Sequence, residues 1–298
     1  MRGANVTFQA GHRPTRILRI ALVAVRQRKK RIARTHVDAL VDNHPTIERQ
    51  LNNKTFIVTG ASSGIGAAAA LLLASHGANV VLGARRKAEL DQLVGQILQS
   101  NGRAVCLPGD VSDETYAQAL VNCAKDEFGG LDGAFNNAGT TGDMGPVPDM
   151  QTSNWQAVID VNLTSGFYAA KYQLPPLREN GGGSLVFTSS FVGHTIGLPG
   201  MAAYAATKAG LIGMAQVLAA EHGAENIRVN ALLPGGTMTA MAGDDPGFHE
   251  VVRGLHALKR MAEPTEIAQV AAFLLSDNAS FVTGSAIIAD GGNSISKF

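Results

Sequence analysis

From Lys54 onward, short apolar runs rich in β-branched residues alternate with longer segments whose apolar positions recur at helical spacing. A strand covered on both faces reads as a continuous apolar run and its crossover as an amphipathic helix, so the alternation predicts βαβ units and a parallel sheet. Strands are expected at 54–59, 79–83, 103–107, 131–135, 184–188, 228–232 and 285–289. Helices are expected at 64–76, 87–100, 113–128, about 153–174, about 202–221 and 264–275. The fourth helix is read as starting at an N-cap, Ser153, and as stopped by Pro175-Pro176. Residues 240–260 are read as helical in part and as a mobile lid, because Gly243, Asp244, Asp245, Pro246 and Gly247 interrupt them. The predicted architecture is α/β: a doubly wound parallel sheet of about seven strands with helices on both faces, in three αβα layers.

The first fifty residues do not share this pattern. They carry 11 Arg and Lys against three acids, a net of +8, whereas the remaining 248 residues carry −7. Residues 1–50 are therefore expected to be a basic, weakly structured N-terminal extension, and 51–298 a single domain. The apolar run from Ile17 to Val25 is interrupted by Arg19 and too short to span a bilayer, and no other stretch suggests a membrane span. The composition of the arm permits a transit peptide, a membrane-surface or nucleic-acid contact, or a leader with no role. An acidic body argues against nucleic acid as a partner. Cys106 and Cys123 are too few for a disulfide framework and lack zinc-ligand spacing, which points to a reducing, cytoplasmic setting and to no metal.

Candidate chemistry begins directly after the first strand, at Gly60-Ala61-Ser62-Ser63-Gly64-Ile65-Gly66. A glycine turn between strand and helix lets backbone approach a pyrophosphate, whose charge then meets the free N–H groups of the helix. Gly60, Ser62, Ser63, Gly64, Ile65 and Gly66 are accordingly assigned to a dinucleotide. At the end of the second strand an acid would bond a ribose 2′-hydroxyl, whereas Arg accommodates a 2′-phosphate. Arg85 and Arg86 stand there, which favours NADP(H) and leaves NAD(H) possible. Asp110 and Val111, after the third strand, are placed at the adenine edge.

Tyr204 and Lys208 are four residues apart in a small-residue helix, so the phenol and the ammonium share one face about a turn apart. Together with the glycine loop, Asn136-Asn137-Ala138-Gly139 and Ser190, this pair resembles the short-chain dehydrogenase/reductase family over about Leu51 to Ser296. The resemblance also takes in Asn162, Pro234-Gly235-Gly236-Thr237-Met238-Thr239 and Asp290-Gly291-Gly292. It implies a Rossmann-type catalytic domain that moves a hydride between a nicotinamide and a ketone or aldehyde, or a secondary alcohol. Tyr204 would be the general acid/base, Lys208 would lower its pKa and bind the ribose, Ser190 would orient the substrate oxygen, and Asn162, in a helix whose backbone distortion admits a water linking the lysine to solvent, would serve a proton relay. Asn137, Ala138, Gly139, Pro234, Gly235 and Thr237 would line the cofactor and Thr239 would bond the carboxamide of the nicotinamide, with Asn136 steadying the sheet. The family also implies a homotetramer assembled through the helices near 153–174 and 202–221.

His194, Leu198, Met201, Met238 and Met241 are expected to wall an apolar substrate pocket, and Trp155 to be a packing anchor. The partner is then a small carbonyl or alcohol. Two other functions fit the same residues: an NAD-dependent alcohol dehydrogenase of this family, and a nucleotide-sensing protein without turnover, which has no need of a tuned phenol.

Overall fold

In the computed structural model, which describes residues 50–296, the apolar runs become seven strands. They are β1 (Thr55–Thr59), β2 (Asn79–Ala84), β3 (Arg103–Pro108), β4 (Gly133–Asn136), β5 (Gly183–Thr188), β6 (Ile227–Pro234) and β7 (Ala286–Ala289). The helices between them are α1 (Gly64–Ser75), α2 (Lys87–Gln99), α3 (Glu114–Phe128), α4 (Thr152–Ile159), α5 (Ser165–Glu179), α6 (Ala202–His222), α7 (Pro246–Leu255) and α8 (Pro264–Leu275). The expected N-terminal extension lies outside the described residues, apart from Gln50. Among the described residues no helix is long and apolar enough to cross a membrane.

The strands pair in the order β3-β2-β1-β4-β5-β6-β7, every pair parallel. The chain thus winds outward from β1 to β3, returns to the centre at β4 and winds the other way. Such a reversal opens a crevice at the carboxyl ends of β1 and β4, where ligands of open α/β sheets bind. The pleat sends alternate residues to opposite faces, and each face has its own core. Phe56 and Val58 pack with Leu73 of α1, Leu90 of α2 and Leu274 of α8. Ile57 packs on the other side with Leu120 of α3, Leu174 of α5 and Leu211 of α6. Removing both faces from water is the main force holding the layers together.

The fourth expected helix is corrected in three respects. It begins at Thr152 with Gln151 at the N-cap, so Ser153 lies inside it and does not cap it. It breaks at Asp160–Thr164, which forms a π-helical turn between α4 and α5. Nor do the prolines stop it, since Pro175 and Pro176 lie inside α5, which continues to Glu179. Leu177 is fully buried just beyond them, so core packing carries the last turn past residues that cannot donate hydrogen bonds. Trp155, expected as a packing anchor, is 39% exposed. Residues 246–255 form the regular helix α7, begun by Pro246 and capped by the Asp245 carboxylate, which accepts from the Gly247 N–H at 2.9 Å.

Candidate active site

The loop from β1 to α1 is shaped by close approach. A Cβ on Gly66 would collide with the Gly60 carbonyl and lie 2.8 Å from the Asn137 amide nitrogen, so only glycine lets α1 begin there. Arg86 lies across this loop. Its Nη2 donates to Ser62 Oγ at 2.9 Å and Ser63 Oγ at 2.8 Å, and its Nε to Ser62 Oγ at 3.2 Å. Arg85 instead faces Asp110, 3.9 Å from Oδ2. Asp110 Oδ1 accepts from the Ser112 N–H and hydroxyl, and these bonds hold its carboxyl below the usual range. Of the two cations, Arg86 is therefore the one at the glycine loop.

The segment after β4 is pinned by side chains rather than by the ladder. Thr59 Oγ1 accepts from the Asn137 N–H at 3.0 Å and the Ala138 N–H at 3.2 Å, and Thr188 Oγ1 donates to Asn137 Oδ1 at 3.1 Å. Asn136 and Gln173 exchange two amide hydrogen bonds, of 2.9 and 3.0 Å, inside the core. Asn162, 2% exposed in the π turn, accepts from the Thr140 N–H at 2.8 Å and donates to the Thr140 carbonyl at 2.8 Å. Its amide also donates to Thr207 Oγ1 at 3.1 Å. The wide turn thus presents one side chain to two segments, a common use of a π-bulge. Beside it lies a cavity of about 20 Å³, lined by Asn136, Asn162, Ser165 and Gln173 together with apolar residues such as Leu120, Phe187 and Leu211, which has the size for one water.

Tyr204 and Lys208 lie in the first two turns of α6. The buried stripe of this helix is Ala203, Thr207, Lys208, Leu211, Ile212, Ala215 and Ala219, so a lysine stands where the pattern calls for an apolar residue. Lys208 is 3% exposed, its Nζ donates to the Thr188 carbonyl at 2.6 Å, and it sits 5.5 Å from the centre of the Tyr204 ring. Burial lowers its pKa to about 8. A Cβ on Gly139 would lie 3.3 Å from this Nζ and 3.2 Å from Asn162 Oδ1, so Gly139, Lys208 and Asn162 meet at one point.

Burial raises the pKa of the Tyr204 phenol above its ordinary value, and the neighbouring Ser190 hydroxyl only opposes that rise. Ser190 stands two residues beyond β5, its Oγ accepting from the Val192 N–H at 3.1 Å. The adjacent Ser189 donates to the Lys208 carbonyl at 2.6 Å and is fully engaged in the core. Gly193, at φ +87°, brings the loop against the Ala205 backbone, which accounts for the Ser-x-x-Gly spacing.

The residues assigned to a substrate pocket fall on two loops. His194 is exposed and Leu198 and Met201 are half-buried on the connection from β5 to α6. Met238 and Met241 are exposed on the connection after β6. Within that second connection, Thr237 donates to the Gly235 carbonyl at 3.0 Å, and Thr239 lies against the glycine loop, its Cγ2 3.0 Å from where a Gly64 Cβ would stand. Sequence reasoning missed Met144 and Val147 after β4 and Phe248 and Val251 on α7, all largely exposed apolar side chains on connections leaving the carboxyl ends of strands. It also missed Thr140, Thr188 and Thr207. Thr140 and Thr188 hold Asn162 and Lys208 through backbone groups that leave no mark in sequence, whereas Thr207, inside the Tyr-x-x-x-Lys interval, was open to notice.

Comparison with known proteins adds an independent line. A family profile described as enoyl-(acyl carrier protein) reductase matches residues 60–294. Cyclohexanol dehydrogenase of Acinetobacter sp. strain SE19 is 38% identical over 246 residues, covering 82% of this chain and 96% of that protein. The 2,5-dichloro-2,5-cyclohexadiene-1,4-diol dehydrogenase of Sphingobium indicum is 40% identical over 249 residues, covering 81% and 97%. The crystal structure of levodione reductase superposes with a TM-score of 0.78 at 33% identity, covering 82% of this chain and 98% of that one.

Proposed function

Because the chain belongs to the short-chain dehydrogenase/reductase family, we propose that it is an NADP(H)-dependent oxidoreductase of ring-borne ketones and secondary alcohols, with Tyr204 as general acid/base. Members of the family act on CH–OH and C=O groups with NAD or NADP. The observation that carries the finer reading is the buried Lys208 beneath the Tyr204 ring, flanked by Ser190 and Asn162. A buried ammonium is costly, and a binding module gains nothing from it.

The donor set suits a dinucleotide. The glycine cradle admits backbone-close phosphates, the N-terminus of α1 favours an anion, and the Arg86 guanidinium, steadied by Ser62 and Ser63, supplies a partner for a 2′-phosphate. Asn137, Ala138 and Gly139 would wall the site from one side and Pro234 to Thr239 from the other. The bound nicotinamide supplies or accepts the hydride. Tyr204 then gives a proton to the carbonyl oxygen, or takes one from the alcohol, while Ser190 hydrogen-bonds that oxygen and fixes its direction. Lys208 binds the ribose and keeps positive charge beneath the phenol. Asn162 and the adjoining water-sized cavity restore the proton from solvent.

Two relatives are named for reactions on six-membered rings, cyclohexanol and a cyclohexadienediol. The apolar residues on the loops above, Leu198, Met201, Met238 and Met241, suit such a ring better than a charged or sugar substrate. The free Cys106 and Cys123 fit a cytoplasmic protein. Phe167 on α5 and Val217 on α6, both more than half exposed, favour a homotetramer assembled through these helices. We assign residues 1–50 to an extension and 51–298 to the catalytic domain.

The test is the consumption of NADPH and of NADH with cyclohexanone, open-chain ketones, quinones, sugars and acyl thioesters. Faster reduction of the cyclic ketone with NADPH is expected, and a preference for open-chain substrates overturns the substrate assignment. In the same assay Arg86→Ala raises KM for NADPH by about tenfold, the scale of one lost charge-assisted contact, and leaves KM for NADH nearly unchanged. If wild-type protein prefers NADH, Arg86 is not a phosphate ligand.

A further inference from the structure

His256 follows α7 and belongs to none of the groups assigned above, yet it is only 1% exposed and both of its ring nitrogens are engaged. Nε2 lies 3.1 Å from the Gly236 backbone nitrogen, and Nδ1 lies 2.7 Å from the Val252 carbonyl oxygen. A backbone N–H can only donate and a carbonyl can only accept. The pairing therefore places the proton on Nδ1 and the lone pair on Nε2.

The ring also occupies space that side chains would need. A Cβ on Gly235 would come 2.9 Å from Nε2, one on Gly236 2.9 Å from Cε1, and one on Gly291 3.2 Å from Cδ2. The imidazole is thus keyed between the turn that leaves β6 and the turn that leaves β7. Neighbouring backbone bonds close the joint: the Gly235 N–H donates to the Ala289 carbonyl at 3.0 Å and the Leu258 N–H to the Gly291 carbonyl at 3.1 Å. Gly236 uses its carbonyl to accept from the Ala262 N–H at 2.9 Å, which leaves its own N–H to His256. Three residues further on, Thr239 touches the glycine loop. Gly236 and Thr239 thus belong to one short, bent segment that runs from the His256 contact to the glycine loop.

We propose that His256 is a positioning residue: through the Gly236 N–H it sets the backbone of the Pro234–Thr239 segment that receives the nicotinamide half of the dinucleotide. Both of its ring nitrogens are taken by backbone groups, so it acts through them. The inference rests on the cofactor assignment made above, and it concerns one half of the ligand only, which gives it a distinctive test.

His256→Asn keeps a donor near the position of Nδ1 and loses the acceptor at Nε2, whereas His256→Gln reaches the Nε2 position with an amide oxygen. Each variant and the wild type are titrated calorimetrically with NADPH and with 2′-phospho-ADP-ribose, which has the adenosine half and no nicotinamide. The Asn variant is expected to bind NADPH about tenfold more weakly, the scale of one buried donor left unpaired, while its affinity for the fragment stays within about twofold. The Gln variant is expected to recover most of the NADPH affinity. Retained fragment binding also shows that the variant is folded. Equal loss for both ligands means that His256 only supports the fold, and unchanged NADPH binding means that it positions nothing; either result overturns the proposal. Wild-type protein that binds neither ligand overturns the cofactor assignment itself, an outcome distinct from both.

Discussion

Tyr204→Phe is expected to lower kcat for carbonyl reduction by at least about a hundredfold, since a positioned general acid contributes ~10²–10⁴ to such a step. The substitution removes one oxygen and keeps the ring that covers the Lys208 ammonium, so the binding of NADPH, followed by quenching or enhancement of its fluorescence, stays close to that of wild type. Turnover that survives in the Phe variant assigns the proton to another group and ends the role given to Tyr204. The direction of the pKa shift adds a second expectation. Burial holds the phenol protonated above its ordinary range, so the acid needed for reduction is present throughout neutral pH and the reduction rate is flat there. Alcohol oxidation needs the deprotonated form, so its rate climbs as the solution is made alkaline.

Most of the fold was legible because the strands are covered on both faces. All five residues of β1 and all six of β2 are buried, and a run of that kind shows in sequence as unbroken apolar character. The glycine loop was legible for a steric reason, since Gly66 has no room for a side chain. The break in the fourth helix was legible only through the family resemblance, which implies a backbone distortion at Asn162. Asp160-Val161-Asn162-Leu163-Thr164 contains no glycine or proline to mark it, and the side chain presented by the widened turn bonds Thr140, 22 positions away. Pro175-Pro176 gave a false stop because the burial of Leu177 outweighs local propensity. The Tyr-x-x-x-Lys spacing was visible, but the orientation of the lysine was not, because its partner is a main-chain carbonyl. The same limit hid His256, whose partners are the backbones of Gly236 and Val252. In sequence, the clearest sign of a site on α6 is that Lys208 places a charge in a buried stripe otherwise made of neutral residues.

That charge has a thermodynamic signature. Lys208 titrates near 8 in the folded chain, below its ordinary value of 10.5, because burial disfavours the charged form. Below pH 8 both folded and unfolded chains carry the proton, and the folded state bears the full cost of the buried charge. Between pH 8 and 10.5 the unfolded chain holds the proton that the folded chain has released, so stability rises with pH across that window. A shift from 10.5 to about 8 corresponds to ~3 kcal/mol at about 1.36 kcal/mol per unit, partly offset at low pH by the hydrogen bond to Thr188. Lys208→Met fills the same space without charge. Its urea midpoint at pH 7 is expected to be no lower than that of wild type, and its stability should not rise between pH 8 and 10.5. The same variant should lose at least about a hundredfold in kcat/KM, because the ribose partner and the positive charge beneath Tyr204 go together. A Met variant that keeps the alkaline rise places the titration on another group. One that keeps its activity removes Lys208 from the site. The pairing of a gain in stability at neutral pH with a loss of turnover is what separates a functional buried cation from a structural one.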